Sequence, residues 1–143
     1  MADKTYVEVA NIRVSDAFDK KYKTTLPKLM TATIEKAINS SANYTTKEPS
    51  DKNATGFYVD GNVISITKAD KGNTAIIEAK LSMQLAEWPK KSMFGFLNGG
   101  GKATTGNLKN LDADVADVVT SILEDLVKKK AIPAMDARAR AKP

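Results

Sequence analysis

The stretch NTAIIEAKLSMQLAEW, residues 73–88, carries the most regular pattern in this chain of 143 residues. Six apolar side chains alternate there, mostly with polar ones: Ala75, Ile77, Ala79, Leu81, Met83 and Leu85. Successive side chains of a β-strand point to opposite faces of its sheet, so this alternation predicts a long strand with one buried face. Pro89 follows directly and predicts the end of the strand, because proline cannot donate to a sheet ladder.

A second long strand is predicted immediately upstream, in GFYVDGNVISITKA, residues 56–69. The turn signal DKGN, residues 70–73, lies between the two and predicts an antiparallel hairpin. The apolar residues of this strand fall on both predicted faces: Phe57, Val59 and Val63 on one, Tyr58, Ile64 and Ile66 on the other. A strand that is covered on both sides has this composition, and a second subunit or a partner protein is a candidate for the second cover.

Two further segments predict amphipathic helices. The first spans about residues 26–39, with Pro27 in its first turn. The second spans about residues 112–130, with Asp112 as its N-cap and Asp114 in its first turn, where the helix dipole favours an acid. Each helix carries one apolar stripe, and a sheet with one apolar face supplies the surface on which it packs.

A first strand over residues 5–14 and a short edge strand within residues 42–48 complete the order β-α-β-β-β-(β)-α. We therefore predict an α+β fold, in which a mainly antiparallel sheet of four to five strands packs the two helices on one face. The length predicts a single domain over residues 1–143. Its folded core is expected over residues 5–130, with a flexible basic tail over residues 131–143.

The stretch MFGFLNGGGKATTG, residues 93–106, raises the question of a phosphate-binding loop. That motif needs a hydroxyl residue after its Gly-Lys pair and a glycine five positions before the second glycine. Here Ala103 follows Lys102, and Phe96 occupies the place of the first glycine. We therefore expect no nucleotide site and predict a turn instead, in which residues 98–101 tolerate a positive φ.

The same stretch supplies the candidate partner-binding residues. Phe94 and Phe96 are predicted to share one face, either in the core or in an exposed docking patch beside a flexible tip. The candidate site comprises Phe94, Phe96, Gly99, Gly100, Gly101 and Lys102.

The composition argues against most enzyme chemistry. The chain has neither cysteine nor histidine, which excludes disulfides, thiolate metal sites and a Ser-His-Asp triad. The segment DKNATG, residues 51–56, starts like a calcium loop, but Asn62 stands where a bidentate glutamate is required. Asp112, Asp114 and Asp117 are explained by capping and solvation. We predict no catalytic, cofactor or metal site and a protein that is not an enzyme.

The net charge is +5 and the isoelectric point about 9.3. Much of the excess lies late in the chain, in Lys128, Lys129, Lys130, Arg138, Arg140 and Lys142. No apolar run approaches the ~20 residues needed to cross a bilayer. The opening MADKTYVEV has no apolar signal segment, which fits a cytoplasmic start or a methionine placed before a mature, exported sequence.

The order of the segments VEVANIRV, LPKLMTATIEKAI, GFYVDGNVISITKADKGNTAIIEAKLSMQL and ADVADVVTSILEDLVKK resembles an α/β module of bacterial envelope proteins. It is similar to the TolB amino-terminal domain, the curli secretion lipoproteins and the outer-membrane activators of penicillin-binding proteins, over about residues 5–130. The lipid-anchoring cysteine of many such proteins is absent.

The resemblance implies a non-enzymatic module that docks onto other proteins, or onto copies of itself, without a small-molecule substrate. It implies the periplasm or the outer membrane if an export signal has been removed, and otherwise the cytoplasm. The alternative is a cytoplasmic or phage-related nucleic-acid-binding protein that uses the basic tail. We disfavour it because the aromatic residues are few and not interleaved with the basic ones.

Overall fold

The computed structural model describes residues 3–141. The strands are β1 (Thr5–Val9), β2 (Arg13–Val14), β3 (Tyr44–Thr45), β4 (Gly56–Lys71), β5 (Thr74–Trp88) and β6 (Ser92–Thr105). The helices are α1 (Tyr22–Asn39), α2 (Leu111–Asp125) and α3 (Ile132–Ala141); a short 3-10 helix (Leu108–Asn110) precedes α2, and a π-helical segment (Leu126–Ala131) joins α2 to α3. The predicted α+β class is confirmed.

The sheet is mixed, with the strand order β3-β1-β4-β5-β6 and with β2 also pairing with β4. The three long strands β4, β5 and β6 form an antiparallel meander, whereas β1 runs parallel to β3 and β4. The predicted hairpin is confirmed: Lys71 pairs with Thr74, and Gly72 between them has a φ of 64°, a conformation that glycine adopts without strain.

The alternation in β5 marks the core as predicted. Its six apolar side chains from Ala75 to Leu85 are fully buried. All of them except Ala75 join one contiguous cluster with the apolar stripes of α1 and α2 and with side chains of β4. Burial of this kind stabilises the fold by about 25 cal/mol per Å² of apolar surface.

A β-bulge corrects the predicted faces of β4. The register steps from Val63 opposite Leu81 to Ser65 opposite Lys80, which leaves Ile64 as the extra residue. A bulge of one residue moves every later side chain to the other face. Ile66 therefore joins the core at 2% exposure, while Ile64 is 41% exposed. The prediction that Ile66 lies on the second face was wrong.

The glycine-rich stretch is a strand and not a turn. β6 runs without interruption through residues 98–101 and pairs with β5 from Thr105 opposite Ala75 to Ser92 opposite Glu87. The prediction of a turn failed because Gly99 and Gly101 meet a requirement of packing rather than of local conformation. Glycine inside a strand often marks the close approach of another element, which here is α2.

The first turns of helices α1 and α2 are in contact with each other. α1 begins at Tyr22, earlier than the predicted residue 26, so Pro27 lies inside the helix. Tyr22 is buried, and its hydroxyl donates to Asp112 at 2.6 Å. Lys21 forms an ion pair with the same carboxylate at 2.9 Å. Asn110, and not Asp112, is the N-cap of α2, and Asp112 instead links the first turns of both helices.

The C-terminal segment is helical as far as Ala141, where the sequence predicted a loose tail. In α3, Met135 is fully buried and the Arg138 side chain lies 3.3 Å from the Glu87 carboxylate. Pro133 stands in the first turn of α3 and does not end the helical path. Residues 142 and 143 of the predicted tail lie outside the described residues.

Candidate functional site

A groove of about 640 Å³ lies between strand β6 and helix α2. β6 ends the sheet, and β5 is its only strand neighbour within residues 3–141. The strand wall of the groove is residues 99–104. The polar residues of the helical wall are Asp114, Asp117, Ser121, Asp125, Lys129 and Lys130.

The glycines set the distance between the strand and the helix. A Cβ atom on Gly99 would lie 3.0 Å from Ile122 Cγ2 and 3.1 Å from Leu126 Cγ, and one on Gly101 would lie 3.3 Å from Ile122. Gly100 faces the other way, where an added Cβ would meet only the Ala79 carbonyl oxygen at 3.4 Å. The middle of the edge therefore presents backbone without side chains.

The charges of the groove are unevenly distributed. At one end, Lys130 Nζ donates to the Asn98 carbonyl oxygen at 2.8 Å, and Lys129 lies 3.5 Å from the Asp125 carboxylate. At the other end, Asp114 and Asp117 make no ion pair with any residue from 3 to 141. By net charge the groove thus has one basic end, where Lys129 and Lys130 outnumber Asp125, and one acidic end, where Asp114 and Asp117 outnumber Lys102.

The two predicted phenylalanines do not share a face. Gly95 pairs with Leu85 and Met93 pairs with Ala86, so Phe94 is the extra residue of a bulge. Its ring lies 5.5 Å from the ring of Phe57 and 5.4 Å from the guanidinium of Arg138, on the side that the helices cover. Phe96 points to the other face and is 56% exposed. The predicted common face was therefore wrong.

The other candidate residues lie together. Gly99, Gly100, Gly101 and Lys102 all line the groove, and Lys102 Nζ is 3.9 Å from the Glu78 carboxylate. Sequence reasoning missed the helical wall, although its signal was present: polar residues recur every three or four positions from Asp114 to Asp125, beside the apolar stripe. Whether this set binds a partner stays a prediction.

The opposite face of the sheet carries a smaller concavity of about 250 Å³, lined in part by Glu8, Tyr58, Asp60 and Lys91. Asp60 accepts a hydrogen bond from the Gln84 backbone N–H at 2.9 Å, and burial raises the pKa of its carboxyl group. Lys91 Nζ lies 5.7 Å from the centre of the Tyr58 ring. Met93 and Phe96 lie exposed on this face, at 59% and 56%.

The described part of the chain offers neither a metal-ligand cluster nor a helix that could span a membrane. No group of three or more metal-ligating side chains is placed to hold a metal ion. No helix has both the length and the apolar character needed to cross a membrane. What the groove offers chemically is a set of backbone hydrogen-bonding groups flanked by charged side chains.

Comparison with known proteins shows the fold and not the family. No family model and no curated protein matches the chain. A Xanthomonas campestris protein described by the family model DUF330 is similar in structure, with a TM-score of 0.70 and 10% identity over 96% of this chain and 90% of that one.

Two further solved structures share the fold. A minor lipoprotein of Acinetobacter baumannii has a TM-score of 0.51 and 10% identity, over 95% of this chain and 92% of that one. The PelC dodecamer of Paraburkholderia phytofirmans has a TM-score of 0.53 and 12% identity, over 89% of each chain. The predicted α/β module is confirmed as a fold that bacterial lipoproteins share, and the particular families stay a prediction.

Proposed function

We propose that this chain is a non-enzymatic docking module of the bacterial envelope, which binds an extended segment of a protein chain along the edge of β6. The observation that carries the proposal is the edge itself: a strand of 14 residues, paired on one side and free of side chains at its centre. An unpaired edge presents rows of N–H and C=O groups that an added strand satisfies.

The groove beside the edge supplies selectivity. Strand addition gives affinity through the backbone, whereas neighbouring side chains choose the sequence that binds. Here the side chains that would select the bound sequence are the aspartates of α2 and the lysines that follow them. Lys130 already donates to the edge at Asn98, and a lysine at an edge is a common protection against indiscriminate strand pairing.

Two observations support a binding role rather than catalysis. The chain has no histidine or cysteine, so the usual bases and nucleophiles near neutral pH are missing. The polar side chains of the groove are aspartate, serine, threonine and lysine on a helix and a strand, without a hydrogen-bonded pair of nucleophile and base. The bacterial lipoproteins that share the fold support an envelope location.

Nucleic-acid binding by the basic C-terminal segment has less support. Lys129, Lys130 and Arg138 all have partners within the chain. A side chain that is already engaged must break that contact before it neutralises a phosphate, so fewer cations are free for the salt-dependent binding that nucleic acids require.

Site-specific photocrosslinking in cells that make the protein tests the proposal. Lys102 lies on the edge strand beside the groove, with its side chain on the face away from α2, within reach of a chain that pairs with the edge. The matched control position is Lys52, in the loop before β4. We expect protein adducts from position 102 and none from position 52, in the envelope fraction. Equal labelling at both positions, or none at 102, would overturn the proposal, and adducts with nucleic acid would favour the alternative.

A further inference from the structure

Helix α2 runs antiparallel to β6, which fixes the two ends of the groove. Leu126 contacts the position of Gly99, and Ile122 contacts those of both Gly99 and Gly101. From Leu126 back to Asp114 the helix covers about 18 Å at 1.5 Å per residue. From Gly99 to Thr104 the strand covers about 17 Å at 3.3 Å per residue. The acidic end of the groove therefore lies beside Thr104 and the basic end beside Asn98.

An edge with this polarity is complementary to itself. A second β6 placed antiparallel, with a two-fold axis at Gly100, sets Asn98 of one copy opposite Lys102 of the other. The basic end of each groove then meets the acidic end of its partner, twice. Isologous interfaces require such self-complementarity. An unrelated strand has no such constraint on its charges, so the two-fold arrangement is what the observed distribution favours.

The centre of the edge suits such a pairing. Three consecutive glycines, Gly99–Gly101, bring no side chain to the axis, so two backbones approach without obstruction. Lys130, which covers the Asn98 carbonyl in the single chain, has a long flexible side chain. In such a pairing it would exchange that contact for Asp114 and Asp117 of the second copy, which have no ion pair among residues 3–141 of their own chain.

We propose that this chain forms a two-fold dimer by antiparallel pairing of the β6 edges around Gly100, which joins two sheets into one continuous sheet. The dimer rests on the docking edge proposed above and names its occupant as a second copy. Edge pairing buries a modest area, so we expect an association that depends on concentration and weakens with added salt.

Charge reversal tests the arrangement. One variant, Asp114→Lys/Asp117→Lys, has two basic ends, and the other, Lys129→Glu/Lys130→Glu, has two acidic ends. Like charges repel within each variant, so we expect either variant alone to dimerise at least about tenfold more weakly than the natural chain. Mixed together, the two variants restore opposite charges at both contacts. We expect a heterodimer of one copy of each, in sedimentation and native mass spectrometry.

The control is Lys23→Glu/Lys28→Glu on the exposed side of α1, which changes the net charge as much as the lysine variant does. We expect it to dimerise like the natural chain. Thermal melting of each variant checks folding, and recovery of the heterodimer excludes misfolding as the cause of lost association.

Two results would overturn the dimer: a natural chain that stays monomeric at about 100 μM, where a micromolar association would be visible, or reversed variants that dimerise undiminished. If the purified chain is monomeric while position 102 crosslinks to another protein, the docking edge stands and the self-pairing fails. If position 102 also yields no adduct, both proposals fail.

Discussion

Gly99 and Ile122 lie in direct contact, so that a Cβ atom on the glycine would be 3.0 Å from the isoleucine Cγ2. Through this contact α2 packs directly on the backbone of β6, close to the edge of the sheet. Helix packing therefore explains the glycines at positions 99 and 101. The same packing places the charged flank of α2 beside unpaired strand backbone.

Replacing Gly99 with alanine tests the contact. We expect Gly99→Ala to lower the free energy of unfolding by about 1–3 kcal/mol, because the new methyl group overpacks against Ile122 and Leu126. Gly100→Ala is the matched control, since its methyl group meets only the Ala79 carbonyl oxygen at 3.4 Å. Urea denaturation measures both, and equal stabilities would contradict the close approach of α2.

The link between Asp112 and the start of α1 predicts a pH dependence. Hydrogen bonds from the Tyr22 hydroxyl and Lys21 lower the pKa of the Asp112 carboxyl group. A lowered pKa means that the ionised form stabilises the fold. This stabilisation is complete above the unfolded pKa of about 3.9 and is lost as the pH falls through the folded value.

We therefore expect Asp112→Asn to be less stable than the natural chain at pH 7 by up to about 1 kcal/mol, a small effect because the carboxylate is largely exposed. In urea melts the difference should start to shrink as the pH drops below about 3.9 and vanish once the pH lies below the lowered folded value. Asp114→Asn controls for the helix dipole, since Asp114 lies in the same first turn without contacting Tyr22 or Lys21. A difference that persists unchanged at low pH would refute the role of ionisation.

The bulge in β4 predicts losses of stability of very different size for two isoleucines only two positions apart. We expect Ile66→Ala to cost about 2–5 kcal/mol because it empties a core site, and Ile64→Ala to cost far less because that side chain is 41% exposed. Guanidinium denaturation of both variants measures the difference. Similar losses for the two would mean that β4 lacks the bulge.

The sequence could predict the long strands and the stripes of the helices because each rests on a period that many residues repeat. The alternation from Ala75 to Leu85 remains readable even where a neighbouring strand, β4 or β6, contains a bulge. The bulges at Ile64 and Phe94 could not be predicted in this way, since one extra residue reverses the faces without a change in local composition. They decided where Ile66 and Phe94 lie.

The glycine run was misjudged for a related reason. Glycine suits both a turn and a close approach, and only the position of Ile122, which is distant in sequence, distinguishes the two. The groove depends on that same long-range packing. Its glycines and Lys102 were accessible to sequence reasoning, whereas their placement in one groove with Asp114 and Asp117 needed the topology.

The helical C-terminal segment leads to a prediction for Met135. We expect Met135→Ala to destabilise the fold by about 2–5 kcal/mol, because this side chain is fully buried against the core. Arg140→Ala, at an exposed position of the same helix, should change stability by about 0.5 kcal/mol or less. Thermal melting distinguishes the two, and an unaffected Met135→Ala variant would show that α3 does not pack on the core.

The bulge at Phe94 separates the two phenylalanines into different roles. Phe94 contacts the ring of Phe57 and the guanidinium of Arg138, so its loss removes packing between the sheet and α3. Phe96 contributes little to the core at 56% exposure. We expect Phe94→Ala to lower the free energy of unfolding by about 2 kcal/mol. This is less than the ~3–5 kcal/mol typical of a fully buried phenylalanine, because Phe94 is only half-buried. Phe96→Ala should stay within about 0.5 kcal/mol of the natural chain.

Urea denaturation measures the stability of both variants, and crosslinking from position 102 in the Phe96→Ala background measures docking. If the exposed ring contributes to a partner contact beside the edge, the yield of adduct falls while the stability stays unchanged, because an exposed aromatic at an interface acts on binding and not on folding. An unchanged yield would confine the docking surface to the groove side of β6. A loss of stability for Phe96→Ala as large as that for Phe94→Ala would instead show that both rings face the core, against the bulge.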